Sequence, residues 1–167
     1  MSISKVTEHY SRVKQLNAKI DPKTAPSTIT MPDSKTRELR ARLILEEAME
    51  TIDALGCTVM YETYQTLDFD WMTVEATHEP DLVEIADGCA DISVVTIGTL
   101  VACGIPDLPL FEMVDTNNLA KFGPGGYLRE DGKWIKPPDH QPPNIKDLLR
   151  KLQQEYIDEG TFKCLEH

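Results

Sequence analysis

The sequence predicts an all-α fold, a helical bundle that forms a single domain over residues 1–160. Apolar residues recur every three or four positions through most of the chain, which is the spacing of one helix face. Glycine and proline fall mainly between these stretches, where they separate one helix from the next. A chain of 167 residues is long enough to bury a core in one domain. Residues 165–167 resemble the start of an expression tag and are left out of the predicted fold.

Five helices are predicted in chain order. They cover residues 3–18, 34–56, 81–103, 107–121 and 145–159. Gly56 stops the second helix, and Pro80 with Asp81 begins the third. Gly104 and Pro106 end the third helix, because proline cannot continue it.

Two further segments do not have a clear helical pattern. Residues 57–80 contain many of the aromatic residues and have mixed periodicity, which allows an extension of the second helix followed by a short hairpin or loop. Residues 127–136 are expected to form a short β-ribbon around Asp131 and Gly132, because Asp-Gly is a common hairpin turn. The sequence thus predicts helices joined in two places by non-helical segments.

Composition excludes several classes of partner. The formal net charge is −11 and the isoelectric point about 4.7, so a basic surface for nucleic acid is not expected. The first residues are polar and helix-like rather than a signal peptide, and the apolar run near residues 92–105 is too short for a membrane span. We therefore expect a cytoplasmic protein with no membrane partner. The cysteines lack metal-finger and CxxC spacing and are interpreted as reduced: Cys57, Cys89, Cys103 and Cys164.

Two acidic clusters lie on the second and third predicted helices. They are Glu46, Glu47 and Glu50, followed by Glu84, Asp87 and Asp91. Because a helix turns by about 100° per residue, the acids three and four positions apart share one face. Like charges at this spacing repel one another, so two such faces suggest that a cation lies between them. Carboxylate oxygens at this density suit Mg²⁺ or Mn²⁺.

The simpler explanation is that these acids lie on solvated helix faces. The third helix argues against it, because it is apolar around most of its circumference, as buried helices are. Asp87 and Asp91 interrupt that apolar surface, and a buried carboxylate needs a partner or a proton. Gly88 and Gly98 lie close to the same face and would leave room for a cavity. A metal site is therefore the preferred interpretation.

The spacing of these acids resembles that of the all-α nucleoside triphosphate pyrophosphohydrolase superfamily. This superfamily includes MazG-like enzymes, dimeric dUTPases and phosphoribosyl-ATP pyrophosphohydrolases. Its ExxE and ExxD motifs correspond to Glu47–Glu50 and Glu84–Asp87, and Glu46 completes the frequent form EExxE. A later N-x-x-K motif followed by DGK-x-x-K-P-P is similar to one branch of the superfamily. The resemblance covers roughly residues 37–145, with Arg40 and Arg42 where relatives often carry arginine.

The resemblance implies an enzyme that cleaves a nucleoside triphosphate between its α and β phosphates. Its metal ligands would be Glu47, Glu50, Glu84 and Asp87, with Asp91 as an outer ligand or an acceptor behind them. Glu46 would be a further ligand or would orient or deprotonate the attacking water, and Glu47 shares this catalytic assignment. Mg²⁺ would be the cofactor and Mn²⁺ a substitute. Triphosphate hydrolysis requires charge neutralisation and an aligned water more than a covalent nucleophile, which independently supports this reading.

The motif tail implies cations for the phosphates. Lys121 and Lys136 are the main candidates, and Arg129 and Lys133 are equally well explained as ordinary surface charges. Asn118 would hydrogen-bond the sugar or base, or else cap a helix end. Aromatic residues that either stack on the base or pack in the core or an interface, the latter being favoured, are Tyr64, Trp71 and Trp134. The isolated histidines are interpreted as surface or packing residues: His9, His78 and His140.

Other functions remain open. A di-iron or di-manganese bundle would need Glu-x-x-His on its helices, and neither acidic helix carries a histidine. Residues 68–70 lack the glycine and glutamate of an EF-hand. A non-catalytic helical module that binds divalent metal is the alternative. The resemblance further implies a homodimer or homotetramer and nucleotide-pool house-cleaning, with phosphoribosyl-ATP a less favoured substrate because the chain carries long additions.

Overall fold

The computed structural model describes residues 5–21, 25–61, 72–130 and 134–165. In chain order its elements are α1 (Glu8–Ile20), α2 (Ser34–Ala54), β1 (Cys57–Tyr61), β2 (Met72–Ala76), α3 (Leu82–Cys103), α4 (Asp107–Ala120), β3 (Tyr127–Leu128), β4 (Trp134–Ile135) and α5 (Ile145–Leu165). Helices dominate this described part of the chain, so the predicted all-α fold is confirmed. The chain divides into two compact units, residues 32–99 and residues 1–31 with 100–167. The single domain over residues 1–160 stays a prediction.

The unit of residues 32–99 is built on α2 and most of α3. Asp33 caps α2, since its Oδ1 accepts a hydrogen bond from the backbone N–H of Thr36 at 2.8 Å. This bond stabilises the ionised carboxylate and lowers the pKa of Asp33. Gly56 ends the helix with a φ of +76°, and an added Cβ there would clash with the carbonyl oxygen of His78. The predicted stop at Gly56 is confirmed.

The residues between α2 and α3 form a strand pair. β1 and β2 are antiparallel, and Cys57 pairs with Ala76 while Tyr61 pairs with Met72. The predicted extension of the second helix is therefore wrong. The predicted short hairpin is confirmed for its two paired strands. The exposed faces of β2 explain the mixed periodicity, because neither face of that strand is consistently buried. Residues 62–71 lie outside the described part of the chain.

α3 begins and ends close to the predicted boundaries. Asp81 accepts hydrogen bonds from the N–H groups of Val83 at 2.8 Å and Glu84 at 3.3 Å, which fixes the first turn. By length and composition alone, this 22-residue helix could cross a membrane, a test that the core helix of a soluble protein also passes. The absence of a membrane partner remains a prediction.

The other unit contains α1, α4, α5 and the ribbon of β3 and β4. Its core includes Tyr10, Val13, Val101 and Leu152. α1 begins at Glu8, later than the predicted residue 3, because Thr7 caps it by accepting from the N–H of Tyr10 at 3.1 Å. α5 continues to Leu165, beyond the predicted end at residue 159. The remaining helix boundaries agree with the prediction within one or two residues.

Asp107, at the start of α4, ties α1 to this unit. It is fully buried, and its Oδ1 accepts from the backbone N–H of Thr7 at 3.0 Å while its Oδ2 accepts from the Thr7 hydroxyl. Both carboxylate oxygens are thus hydrogen-bonded, as burial of a charge requires. Burial, followed by the nearby Tyr156 and Asp107, raises the pKa of Tyr10 to about 12. Tyr10 therefore stays neutral beside the buried carboxylate.

The predicted ribbon near residues 127–136 is confirmed. β3 and β4 are antiparallel, with Tyr127 opposite Ile135 and Leu128 opposite Trp134. The turn residues 131–133 lie outside the described part of the chain. The ribbon places Trp134 beside the end of α4, as the hydrogen bond from its indole to Lys121 shows.

Candidate functional site

The six predicted acidic residues all lie in the unit of residues 32–99, on α2 and α3. Those on α2 are Glu46, Glu47 and Glu50, and those on α3 are Glu84, Asp87 and Asp91. Glu47 is half-buried, whereas the other five side chains are exposed. The expectation that Asp87 and Asp91 interrupt a buried surface of the third helix is therefore wrong, because the first half of α3 is largely exposed. Each group spans about one helical turn or two, so each helix carries its acids on one side.

The two helices approach closely beside these acids. A Cβ added to Gly88 of α3 would clash with the hydroxyl oxygen of Thr51 on α2 and would lie 3.1 Å from the Thr51 Cβ. Thr51 is buried, and its hydroxyl donates to the backbone carbonyl of Glu47 at 2.7 Å. A glycine is therefore required for space at this crossing, where a larger residue would force the helices apart. The expectation that Gly88 leaves room for a cavity is wrong, because Gly88 makes room for Thr51, a residue that the sequence analysis missed.

The carboxyl group of Glu47 is affected by the negative charges of both acidic clusters. Its pKa is raised from the usual glutamate value, first by desolvation and then by the charge of Asp91. Glu50, Glu46 and Asp87 raise it further, in that order. Because two of these four charges belong to α3, the acidic faces of the two helices lie close enough to interact. The arrangement concentrates negative charge around Glu47.

The donor set suits a hard divalent cation in its chemistry, since all six groups offer carboxylate oxygens. As placed, however, no three His, Cys, Asp or Glu side chains within the described ranges converge closely enough to hold a metal ion. Binding a cation at this point would require these carboxylates to lie closer together than they do. The charges of Asp91 and Asp87, after desolvation, raise the pKa of Glu47, and a bound cation would reduce this repulsion.

A cavity of about 620 Å³ adjoins one end of this acidic region. It lies between the last turns of α2, the segment after β2 and the first turn of α3. Residues that line it include Met49, Glu50, Asp53, His78, Asp81 and Glu84. Two of the predicted metal ligands, Glu50 and Glu84, thus line the same cavity. The other lining residues were not predicted to belong to a functional site.

His78 is the least expected of these cavity residues. Its Nε2 lies 2.9 Å from the backbone oxygen of Asp53, and its Nδ1 lies 3.1 Å from the hydroxyl of Thr77. The ring is therefore held by two polar contacts, and the side chain remains 43% exposed. The interpretation of His78 as a surface residue is consistent with that exposure, but its place on the cavity wall was missed. The pairing of β1 with β2 and the hydrogen bond from the backbone N–H of His78 to the Gly56 carbonyl, at 3.1 Å, bring it to the end of α2.

The predicted phosphate-binding residues belong to the other unit. Asn118 and Lys121 form a pair at the end of α4, where Lys121 Nζ lies 2.5 Å from Asn118 Oδ1. Arg129 and Lys136 are exposed near the ribbon, and Lys133 lies outside the described residues. The structure thus brings together the two polar residues of the N-x-x-K motif.

Trp134 packs within the protein, as the favoured interpretation predicted. Its indole N–H donates to the backbone oxygen of Lys121 at 2.6 Å, and its ring centroid lies 4.9 Å from that of Phe122. Tyr64 and Trp71 lie outside the described part of the chain, so their predicted roles stay untested.

Comparison with known families agrees with the helices and the motifs. A family model described as phosphoribosyl-ATP pyrophosphohydrolase matches residues 13–118. The chain belongs to this family. The family is part of the MazG-like all-α nucleoside triphosphate pyrophosphohydrolase superfamily, so the resemblance drawn from the acidic motifs is confirmed. A search of curated proteins finds no match.

Family membership identifies the chain as a pyrophosphohydrolase that acts on a phosphoanhydride of a nucleotide. The matched span includes all six acidic residues and Asn118. Lys121, Arg129 and Lys136 lie beyond it. The part of the chain that the family describes is therefore the part that carries the acidic faces.

Proposed function

We propose that this protein is a Mg²⁺-dependent nucleoside triphosphate pyrophosphohydrolase that releases pyrophosphate and a nucleoside monophosphate. Mn²⁺ would substitute for Mg²⁺, since both accept carboxylate oxygens. Family membership supports the class of reaction. The choice of a triphosphate, cleaved between its α and β phosphates, rests on the acidic motifs and the lysine-containing tail.

The observation that carries this proposal is the close crossing of α2 and α3 at Thr51 and Gly88, beside acids of both helices. In agreement with it, the pKa of Glu47 on α2 is raised by desolvation and then by the charges of Asp91 and Asp87 on α3, among others. A divalent cation would neutralise this charge, and the nucleotide phosphates would add oxygen ligands. Repulsion in the unliganded protein is what such a site would show.

The acidic residues would divide the work of hydrolysis. Glu47, Glu50, Glu84 and Asp87 would hold the cation, and Asp91 would be an outer ligand or would hydrogen-bond a ligand. When bound, Mg²⁺ supplies positive charge to the triphosphate and increases the acidity of water. Glu46 or Glu47 would orient the attacking water and take its proton. The new P–O bond to water replaces the bond to the bridging oxygen, which leaves with pyrophosphate.

The phosphates also need fixed positive charge from the protein. Lys121 and Lys136 are proposed for this role, with Arg129 and Lys133 as further candidates. Asn118 would hydrogen-bond the substrate next to Lys121, with which it is paired. A lysine held in this way offers a charge-assisted hydrogen bond to a phosphate oxygen.

The biological setting that fits this chemistry is the removal of non-standard or excess nucleotides in the cytoplasm. The cavity beside Glu50 and Glu84 would be available to the nucleoside part of the substrate. We further propose that the active protein is a homodimer or homotetramer. A non-catalytic metal-binding module is the competing function, and one assay separates the two.

That assay measures pyrophosphate release from canonical and modified nucleoside triphosphates, with Mg²⁺ and with EDTA. Metal-dependent formation of pyrophosphate and monophosphate is expected. Glu50→Gln and Asp87→Asn should each lower kcat by more than about 100-fold, the upper end of losses for groups that merely support a metal ligand. Both variants should keep or raise their melting temperature without Mg²⁺, because each removes a repulsive charge.

Glu75→Gln provides the matched control, since Glu75 is an exposed acid on β2 of the same unit. It should retain wild-type turnover. Equal turnover in Glu50→Gln, Asp87→Asn and the wild type would contradict the site assignment. A folded wild-type protein that binds Mg²⁺ but hydrolyses no triphosphate would favour the non-catalytic module.

A further inference from the structure

The end of α4 presents a physical difficulty for a phosphate-binding lysine. Carbonyl oxygens accumulate at a helix C-terminus and carry partial negative charge, which repels a phosphate. Lys121 is the residue that follows α4, and its backbone remains in the right-handed helical region with φ −61° and ψ −24°. Its side chain must therefore bind an anion from the end of the helix that disfavours anions.

Trp134 relieves part of this difficulty through one hydrogen bond. Its indole N–H donates to the backbone carbonyl oxygen of Lys121 at 2.6 Å, across 13 residues of sequence. That carbonyl lies past the last turn and needs a partner from outside the helix. The indole engages one of the carbonyl groups nearest to the lysine and fixes the backbone from which its side chain extends.

The indole itself is held on two sides. A Cβ added to Gly126 would lie 2.8 Å from Trp134 Cζ2 and 3.0 Å from its Nε1, so only glycine leaves space for the ring. On another side the Phe122 ring packs against it at a centroid distance of 4.9 Å and an interplanar angle of 40°. The ring therefore has a defined position, and the hydrogen bond to Lys121 is constrained by packing.

The side chain of Lys121 is oriented in turn. Its Nζ lies 2.5 Å from Asn118 Oδ1, one turn earlier on α4. The backbone N–H of Lys121 donates to the carbonyl of Asn118 at 3.3 Å. A displacement of the Lys121 backbone would therefore change the position of Lys121 Nζ relative to Asn118 Oδ1. Trp134, Lys121 and Asn118 thus form one chain of contacts that ends in a cationic group.

We propose that Trp134 is a positioning residue for phosphate binding, acting through the backbone of Lys121 without contacting the substrate. The inference rests on the proposed function, in which Lys121 binds a phosphate oxygen. It adds a role for the ribbon of β3 and β4, which places Trp134 at the end of α4. The ribbon thereby contributes to substrate affinity through Lys121.

The test compares Trp134→Phe with the wild type in steady-state hydrolysis and in inhibition by pyrophosphate. Phenylalanine keeps an aromatic ring beside Phe122 and removes the N–H. The KM for the triphosphate and the inhibition constant of pyrophosphate should both rise by about 3- to 10-fold, the effect of losing one hydrogen bond. The kcat should stay within about twofold, because binding would be weakened equally in the ground and transition states.

A double-mutant cycle with Lys121→Met distinguishes positioning from general support of the fold. Lys121→Met alone should raise both constants, and Trp134→Phe should then add nothing, because its effect passes through the lysine. Additive effects in the double variant would overturn the inference. Tyr127→Phe is the control, since Tyr127 is an exposed aromatic residue of the same ribbon, and its constants should match the wild type.

The outcomes separate this inference from the proposed function. If the wild type hydrolyses triphosphates and Lys121→Met raises KM while Trp134→Phe does not, the positioning role is wrong and the phosphate role of Lys121 stands. If the wild type has no activity on any triphosphate, the proposed function itself fails. Should Trp134→Phe lose its folded circular dichroism spectrum, 3-benzothienylalanine at position 134 removes the N–H while keeping the two-ring shape, and the same increase is expected.

Discussion

At the scale of single residues, the carboxyl group of Glu47 connects the structure most directly to chemistry. Its pKa is raised by desolvation and by Asp91, Glu50, Glu46 and Asp87. A raised carboxyl pKa means that the folded protein binds a proton more tightly than the unfolded chain does. In the absence of metal, the contribution of Glu47 to the free energy of unfolding therefore increases as the pH falls. The increase begins near the raised pKa and is complete below the ordinary glutamate pKa of about 4.3.

This sign gives a measurable pH dependence. In EDTA, Glu47→Gln should melt at a higher temperature than the wild type at pH 7, and the difference should shrink as the pH approaches 4. The reason is that protonation removes from the wild type the same repulsion that the variant lacks. Saturating Mg²⁺ should reverse the order at pH 7, because a cation stabilises the ionised carboxylate. A difference in melting temperature that does not change with pH would contradict the cause assigned to the pKa shift.

At the scale of secondary-structure elements, the crossing of α2 and α3 positions the acidic faces. Gly88 permits this approach, since a methyl group there would meet the side chain of Thr51. Gly88→Ala should lower the free energy of unfolding by about 1–3 kcal/mol, the usual cost of overpacking a close contact. Turnover should fall as well, since Asp87 lies next to the displaced residue.

The double variant Gly88→Ala with Thr51→Ala provides the control. Removing the Thr51 hydroxyl deletes the nearest clashing atom, so the combined loss in urea denaturation should be smaller than the sum of the single losses. Strict additivity would show that the crossing does not limit the size of residue 88. Thr51→Ala alone measures the cost of losing the hydrogen bond to the Glu47 carbonyl.

Local signals allowed most helix boundaries to be predicted, whereas tertiary contacts were out of reach. Gly56 and Asp81 act on their immediate neighbours, so their effects can be read from adjacent residues. The strands β1 and β2 lack a regular alternation, and their pairing depends on partners that are distant in sequence, from Tyr61 with Met72 to Cys57 with Ala76. Likewise, the bond from Trp134 to Lys121 exists only because the ribbon folds back on α4. The motifs predicted the candidate site residues, and the structure adds the tertiary contacts that these residues make.

At the scale of the whole molecule, many large apolar side chains of the described residues are exposed. In the unit of residues 32–99 they occur on both helices and on the strands. Examples are Leu39, Leu45, Leu55, Val74, Leu82 and Val83, each at least 48% exposed. Burial of such residues between copies would stabilise an assembly by about 25 cal/mol per Å² of apolar surface. This exposure supports the proposed homodimer or homotetramer.

Sedimentation velocity tests the assembly. The wild type is expected to sediment as a dimer or tetramer, and Leu82→Lys with Val83→Lys should shift it towards the monomer, because charge is costly to bury. Leu82 and Val83 are chosen because they are 79% and 74% exposed. Thr73→Lys, at an exposed position on β2, is the control and should leave the assembly unchanged. A monomeric wild-type protein at micromolar concentration would refute the proposal.

The bond between Thr7 and Asp107 has a consequence for how the chain folds as it is made. The two residues are 100 positions apart, so the first helix leaves the ribosome long before its anchor does. At a synthesis rate of about 5–20 residues per second, the delay is roughly 5 to 20 seconds. Residues 32–99 are synthesised within that interval, so their unit is complete in sequence before Asp107 appears, whereas α1 lacks its anchor until then. α1 is thus synthesised before the residue that anchors it, and its position in the fold is fixed late.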